Sequence, residues 1–424
     1  MSGLFLVASV IGAWLTYNVY RPRYRPGNRA TFSWFVGWLT DELALHHIAW
    51  QVLATIFFVA AGALESFIGE IALLISLFSW GALAASYMRS RSAKGAIEEA
   101  FRDALGPDYR TKIRPELAEK LLSRVDWRTI ARSYSVRGTD VERIRDIQFR
   151  RARGVNIRLD VYRQRSGPSE CPTLFYIHGG AWIIGSKNNQ GLPLIHRAAR
   201  RGWVCVTADY RLSPHATFPE HLEDLKHALR WIREEVAGYG ADSEFVVVSG
   251  SSAGGHLAAL VALTANDPEY QRGFENVDTT VQGCVAFYGI HDFLDRHRSW
   301  AHAGFARLLE QKVMKASIEE APEAYAKASP LDRVRSDAPP FLIVHGDRDT
   351  IVPVAQARHF FKALREKSLS PVAYAEIPGA QHAFENVPSL RTQLVLDGVE
   401  RFLAYIYSDF LARKSSKKRG QAAK

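Results

Sequence analysis

The pattern of hydrophobic and polar positions changes partway along the chain. Apolar runs of about 17 residues crowd the first 88 positions, whereas from about residue 143 short apolar runs alternate with charged stretches. A run of that length lies at the lower limit for a helix that spans a bilayer, and short buried runs are typical of α/β domains. We therefore predict an apolar, membrane-associated helical region (1–88), a helical linker or cap (89–142), an α/β domain (143–410) and a basic tail (411–424).

Three of the long runs are candidate membrane spans, namely Leu4–Tyr20, Ile48–Leu64 and Ile71–Tyr87. The second and third would form a hairpin. Neither the bend of this hairpin nor the start of the chain carries Lys or Arg. Basic residues instead follow the first and third runs: Arg21, Arg23, Arg25, Arg29, Arg89, Arg91 and Lys94. The positive-inside rule then predicts an outside amino terminus and a cytoplasmic α/β domain. The alternative is that these helices do not span a bilayer and instead cap a functional site.

The α/β domain shows strand and helix patterns in alternation. Ile157–Tyr162 alternates like a half-buried strand, and further strands are predicted at Thr173–Ile177, Val204–Ala208, Phe245–Ser249, Val281–Tyr288, Phe341–His345 and Val372–Ile377. Helices are predicted at Glu220–Val236, Ala253–Ala265, Val354–Lys367 and Leu390–Tyr407. This order predicts a doubly wound, mostly parallel sheet, in which ligands bind at the carboxyl ends of the strands.

A GSSAG segment, Gly250–Gly254, lies between a predicted strand and a predicted helix. A sharp turn at that place leaves room only for small residues on either side of the central serine, and it raises the serine hydroxyl above the sheet. The amino terminus of the following helix favours developing negative charge. Ser252 is therefore the candidate nucleophile, whereas Ser251 is one position out of frame.

An HGGAW segment, His178–Trp182, follows the strand that ends at Ile177. Acyl transfer passes through a tetrahedral oxyanion that fixed backbone N–H groups stabilise, and adjacent glycines let the chain turn those groups inward. We expect Gly180 and Ala181 to donate, together with Ala253 after the nucleophile. Gly179 would shape the turn.

An acid and a histidine follow the serine in the chain order of α/β hydrolases. The segment HGDRDTIVP begins at His345, at the end of one predicted strand, and GAQHAF follows another. Both lie on the sheet edge predicted for Ser252, so His382 is the candidate general base. Asp347 and Asp349 compete for the role of orienting the imidazole.

Together these motifs resemble the hormone-sensitive lipase family of α/β hydrolases, in its bacterial lipase and carboxylesterase branch. The resemblance covers roughly residues 152–407, and it includes DYRLSP at Asp209–Pro214 and FPEHLEDLKHALRW at Phe218–Trp231. It implies that Asp349 completes the catalytic triad, and it gives a supporting role to Asp209, Arg211 and Asp224. Ala181 departs from the usual third glycine. The amino-terminal extension is similar to that of membrane-associated, mycobacterial-type actinobacterial esterases.

The resemblance implies a carboxylesterase or lipase that works through an acyl-enzyme, with no cofactor or metal. The predicted membrane region suggests lipid-derived or short-to-medium acyl esters as substrates. Amide or N-formyl hydrolysis on the same fold is an alternative, and a non-enzymatic membrane scaffold is another. The net charge of +10 arises largely in the tail, which we expect to be solvated and disordered, and no nucleic-acid motif accompanies it. Three scattered cysteines argue against a disulfide framework.

Overall fold

The computed structural model describes residues 1–24, 28–121, 125–132, 140–167, 169–300 and 304–422. Its centre is an eight-stranded sheet with the order β1-β2-β4-β3-β5-β6-β7-β8. The strands are Val141–Ala152, Val155–Gln164, Cys171–Ile177, Val204–Ala208, Ala241–Ser251, Gly283–Phe287, Phe341–Gly346 and Val372–Ile377. β1 and β2 run antiparallel to their neighbours, and the remaining pairings are parallel. The sheet confirms the predicted mostly parallel, doubly wound architecture.

Each central strand is buried on both faces, which explains why it appears in the sequence as a continuous apolar run. In β3, Phe175 and Ile177 join the core on one face, and Leu174 and Tyr176 join the core on the other. One face is covered by α9 (Glu220–Glu235), α10 (Ala253–Leu263) and α13 (Ala355–Lys367), and the other by α5 (Ala93–Leu105), α8 (Leu192–Arg200) and α14 (Leu390–Ala422).

β1 was not predicted as a strand. It lies at the edge of the sheet, so most of its side chains are half-buried or exposed and no apolar run marks it. Charged pairs hold it instead, because Arg143 Nε donates to the buried Asp160 of β2 at 2.7 Å. The antiparallel β1–β2 pair also shifts register twice, and the first shift lies at Asp146, which has a φ of 57°.

The segment predicted as a linker or cap begins with α5. This helix packs against β8 and α14 on one face of the sheet. Its buried Ile97 and Phe101 belong to the core of that face. The Phe101 ring stacks on Phe402 with the ring centroids 6.3 Å apart and meets Tyr109 edge-on at 5.5 Å. The shorter α6 (Pro115–Ala118) and α7 (Trp127–Ala131) follow it.

Four helices form the amino-terminal region: α1 (Ser2–Tyr20), α2 (Asn28–Glu42), α3 (Ala44–Ala60) and α4 (Phe67–Ser90). Within the described residues, two helical stretches are long and apolar enough to cross a membrane, Ser2–Tyr20 and Phe67–Leu105. The predicted second span corresponds to α3. This helix passes the test only together with α2, and the pair is bent by 86° at the break between them. α2 itself was not predicted.

The amino-terminal helices are joined to the α/β domain by buried polar contacts. Arg391, at the start of α14 and 1% exposed, pairs with Asp41 at 2.9 Å and also with Glu42. In a second contact, Arg348 Nη1 donates to the carbonyl oxygen of Val19 at the end of α1, at 3.1 Å. The helical region therefore packs directly on the domain.

The expectation of a disordered basic tail is wrong for the described residues, because α14 continues through Ala422. Lys414 pairs there with Asp242 at 3.1 Å and Glu244 at 2.7 Å, so part of the positive charge is neutralised by the domain. Lys424 of the tail lies outside the described residues, and so does Arg25, one of the residues used to predict the orientation.

Candidate active site

Ser252 lies at a sharp turn between β5 and α10. Its φ of 56° and ψ of −122° are unfavourable for a residue with a side chain, and its N–H donates to the Phe287 carbonyl at 3.0 Å. The neighbouring chain comes so close that a Cβ atom on Gly254 would lie 2.1 Å from the Ile177 oxygen. A Cβ on Gly250 would meet the Gly254 oxygen at 2.3 Å. The small residues on either side of Ser252 are thus a steric requirement of this turn.

His382 lies between the serine and an acid. It follows β8, and its Nε2 is 3.0 Å from Ser252 Oγ, while its Nδ1 is 2.7 Å from Asp349 Oδ2. The ring is almost buried, and Tyr288 packs against it with the ring centroids 4.4 Å apart. This arrangement lets the imidazole accept the serine proton while a carboxylate holds the other nitrogen protonated.

The two candidate acids occupy different environments. Asp349 Oδ1 accepts from the backbone N–H groups of Ile351 and Val352, both at 2.8 Å, and Oδ2 faces His382. Burial would raise the pKa of Asp349, but the charge of His382 and hydrogen bonds from His345 and His382 hold it below its usual value. Asp347 instead accepts from Gly379 N at 2.7 Å, and burial raises the pKa of that carboxyl.

The HGGAW loop places backbone N–H groups beside the nucleophile. Gly179 N is already engaged, since it donates to Gln190 Oε1 at 2.6 Å. No hydrogen bond of the described chain engages the N–H groups of Gly180 and Ala181, and Ala253 N belongs to the unpaired first turn of α10. Ala181 has a φ of 51°, a region that favours glycine, which explains why a third glycine is common in similar segments.

The residues given a supporting role lie beneath this loop. Asp209 Oδ1 accepts from Lys187 N at 2.8 Å and so holds the chain that follows the HGGAW segment. Arg211 Nε donates to the buried Asp224 at 2.8 Å, and Arg150 pairs with the same carboxylate at 2.5 Å. These contacts are structural and do not reach Ser252.

Sequence reasoning missed two groups next to His382. Trp34 of α2 donates its indole N–H to the His382 carbonyl at 3.3 Å and stacks on Trp38 with the ring centroids 5.6 Å apart. Glu385 is fully buried and accepts from Tyr288 Oη, and burial raises its pKa to about 7. Trp34 is 348 positions from its partner, so no local pattern could reveal it. Among the described residues, no group of three or more His, Cys, Asp or Glu side chains could hold a metal ion.

Comparisons with known proteins show the family of the chain. The BD-FAE family model matches residues 159–364. The chain is 38% identical over 415 residues to the "Probable carboxylic ester hydrolase LipM" of Mycobacterium tuberculosis, covering 96% of this chain and 94% of that relative. It is 35% identical to "Esterase LipQ" of the same organism, over 92% of this chain and 88% of that relative.

A solved structure of similar fold is a propionate-bound thermophilic esterase of Thermogutta terrifontis. It is 25% identical, with a TM-score of 0.54, over 63% of this chain and 95% of that one. Fold, site geometry and relatives define the class of this protein, a serine hydrolase that acts on carboxylic esters. Within that class the chain belongs to the hormone-sensitive lipase family, together with the mycobacterial carboxylic ester hydrolases. The predicted family and α/β-hydrolase fold are thereby confirmed.

Proposed function

We propose that the chain hydrolyses carboxylic esters through a triad of Ser252, His382 and Asp349. Ser252 Oγ attacks the ester carbonyl while His382 Nε2 takes its proton, and the alcohol leaves with that proton as an acyl-enzyme forms. His382 then activates a water that releases the acid. The observation that carries the proposal is the position of one imidazole, 3.0 Å from the serine oxygen and 2.7 Å from the carboxylate.

The oxyanion would be held by backbone N–H groups of Gly180, Ala181 and Ala253, with Gly179 fixing the loop. The free N–H groups of Gly180 and Ala181 support this assignment, as does the bond from Gly179 N to Gln190, which leaves Gly179 no donor to offer. Each such donor contributes roughly 2.7 to 4 kcal/mol to the stability of the transition state. The reaction needs no metal or cofactor.

We place the substrate among lipid-derived or short-to-medium acyl esters. Support comes from the aromatic side chain of Trp34, which packs edge-on against His382 and stacks on Trp38, and from the apolar helices of the amino-terminal region. We propose residues 1–88 as the membrane region and residues 143–410 as the hydrolase domain, with 89–142 joining them and 411–424 as a basic extension.

The domain would lie on the cytoplasmic side of the membrane. Ser2 Oγ donates to the Ala63 carbonyl at 2.9 Å, so the amino terminus and the α3–α4 bend share one end of the helical region. Neither carries Lys or Arg, whereas Arg21 and Arg89 lie at the opposite end, next to the domain. This charge distribution supports the orientation by the positive-inside rule.

The test is Ser252→Ala in the full-length chain. We expect loss of p-nitrophenyl ester turnover and of labelling by a fluorophosphonate probe, with unchanged circular dichroism. Turnover retained by a folded variant would refute the triad. Parallel assays with N-formyl and arylamide substrates separate ester from amide hydrolysis, and a wild-type protein that fails to label would favour a non-enzymatic scaffold.

A further inference from the structure

A long apolar groove lies between α1 and α4, on the outer surface of the helical region. Its volume is about 980 Å³, and its lining comes from both helices: Val10, Ala13, Trp14, Thr16, Tyr17, Tyr20, Arg21, Leu74, Ile75, Phe78, Ser79 and Ala82. The large side chains stand at its rims, where Leu74 is 66% and Phe78 78% exposed. Small residues such as Ala13 and Ala82 form its floor.

The floor offers no open hydrogen-bonding group to water. Thr16 Oγ1 and Ser79 Oγ bond to each other at 2.8 Å, and the Thr16 hydroxyl also lies 3.0 Å from the Gly12 carbonyl. The Tyr20 hydroxyl donates a hydrogen bond to the Ala82 carbonyl at 2.6 Å. A floor whose hydroxyl groups are already paired suits a hydrocarbon chain better than a polar ligand.

The groove has the length of one membrane leaflet. From Val10 to Arg21, a helix rises about 16 Å at 1.5 Å per residue, which is close to half of a hydrocarbon core of about 30 Å. The lining belongs to the half of α1 next to the α/β domain, because Val19 contacts Arg348 of that domain. The occupant of matching length is therefore an acyl chain in the leaflet on the side of the domain.

Charge distinguishes the end of the groove nearest the domain. Arg21 lines the groove, is exposed and has no ion pair within the described chain. Arg89 is held differently, over the Tyr20 ring at 5.1 Å. We infer that the α1–α4 groove is a binding site for an anionic membrane phospholipid, with an acyl chain in the groove and the phosphate against Arg21.

Binding can be measured by native mass spectrometry of the full-length chain in detergent, titrated with phosphatidylglycerol or with phosphatidylcholine of the same chains. We expect phosphatidylglycerol to bind about fivefold more tightly, the effect of one unpaired arginine near a membrane surface. Arg21→Gln should remove that preference. Arg91→Gln makes the same charge change outside the groove and should keep the preference within twofold.

Filling the groove tests the hydrocarbon part of the site. Ala13→Phe should weaken both lipids at least tenfold, whereas Ala60→Phe, on an exposed part of α3 outside the groove, should leave them unchanged. Equal effects of Ala13→Phe and Ala60→Phe, or of Arg21→Gln and Arg91→Gln, would overturn the inference in favour of unspecific lipid contact.

A test on the wild type avoids any folding defect of the variants. Dioctanoyl phosphatidylglycerol should bind at least tenfold more weakly than the dioleoyl lipid, because its chains fill less of the groove. Equal affinities would also overturn the inference. None of these measurements uses turnover, so their outcome does not depend on the role of Ser252.

Discussion

Asp349→Asn is the substitution that tests the triad most directly. Because Asp349 Oδ1 is fixed by the N–H groups of Ile351 and Val352, the amide nitrogen of an asparagine would take the place of Oδ2 and face His382. It would donate to Nδ1 and so leave the ring proton on Nε2, toward Ser252. The imidazole could then no longer accept the serine proton.

The expected loss is large. A triad with its histidine in the wrong tautomer loses about 10³- to 10⁴-fold in kcat, which corresponds to about 4 to 5.5 kcal/mol of transition-state stabilisation. Asp347→Asn is the matched control, because it makes the same chemical change two positions away. Its side-chain oxygen can still accept from Gly379 N, so we expect less than a threefold change.

The measurement is steady-state kcat and KM on a p-nitrophenyl ester, with circular dichroism to show that both variants fold. The reasoning fails if Asp349→Asn keeps kcat within tenfold of the wild type, or if Asp347→Asn loses as much. The second outcome would move the orienting role to Asp347.

Three further substitutions test the surroundings of the site. Trp34→Phe removes the hydrogen bond from the indole N–H to the His382 carbonyl, which is worth about 1 kcal/mol, so kcat should fall about fivefold. Trp38→Phe should change kcat little, because Trp38 Nε1 has no partner in the described chain. Folding raises the pKa of Glu385 from 4.5 to about 7, so between these values the folded chain keeps a proton that the unfolded chain loses. Thermal unfolding should therefore show the wild type losing stability relative to Glu385→Gln as the pH rises from 4.5 to 7. Equal pH profiles of the two proteins would contradict this. Arg391→Met leaves two buried carboxylates unpaired and should destabilise the full-length chain by about 3 to 5 kcal/mol, measured by unfolding, while the exposed Arg102→Met should not.

The sheet and its motifs could be predicted because burial leaves a simple pattern. β4 and β8 have the boundaries predicted for them, since a strand covered on both faces is apolar throughout and its ends carry turn residues. β1 has no such pattern. Its segment VERIRDIQFRRA is charged because an edge strand can be held by ion pairs such as Arg143 with Asp160.

The candidate site divides in the same way. Ser252 and its neighbours follow from a local turn, whose steric demands appear directly as small residues in the sequence. The choice between Asp347 and Asp349 depends on which carboxylate points toward a loop some 30 residues away, and spacing does not determine that direction. Only the resemblance favoured Asp349, the acid that the structure brings to His382 at 2.7 Å.

The contacts of the helical region argue against a simple tether. A tether needs only apolar length, yet α2 ends in two acids that pair with the buried Arg391, and its Trp34 bonds to the His382 backbone. Arg348, next to the acid of the site, bonds to the Val19 carbonyl. Removing residues 1–88 would leave Arg391 without its carboxylates and the loop of His382 without a donor from α2. We therefore expect the helices and the hydrolase domain to unfold as one unit, because the same contacts that hold the helices also hold the histidine loop.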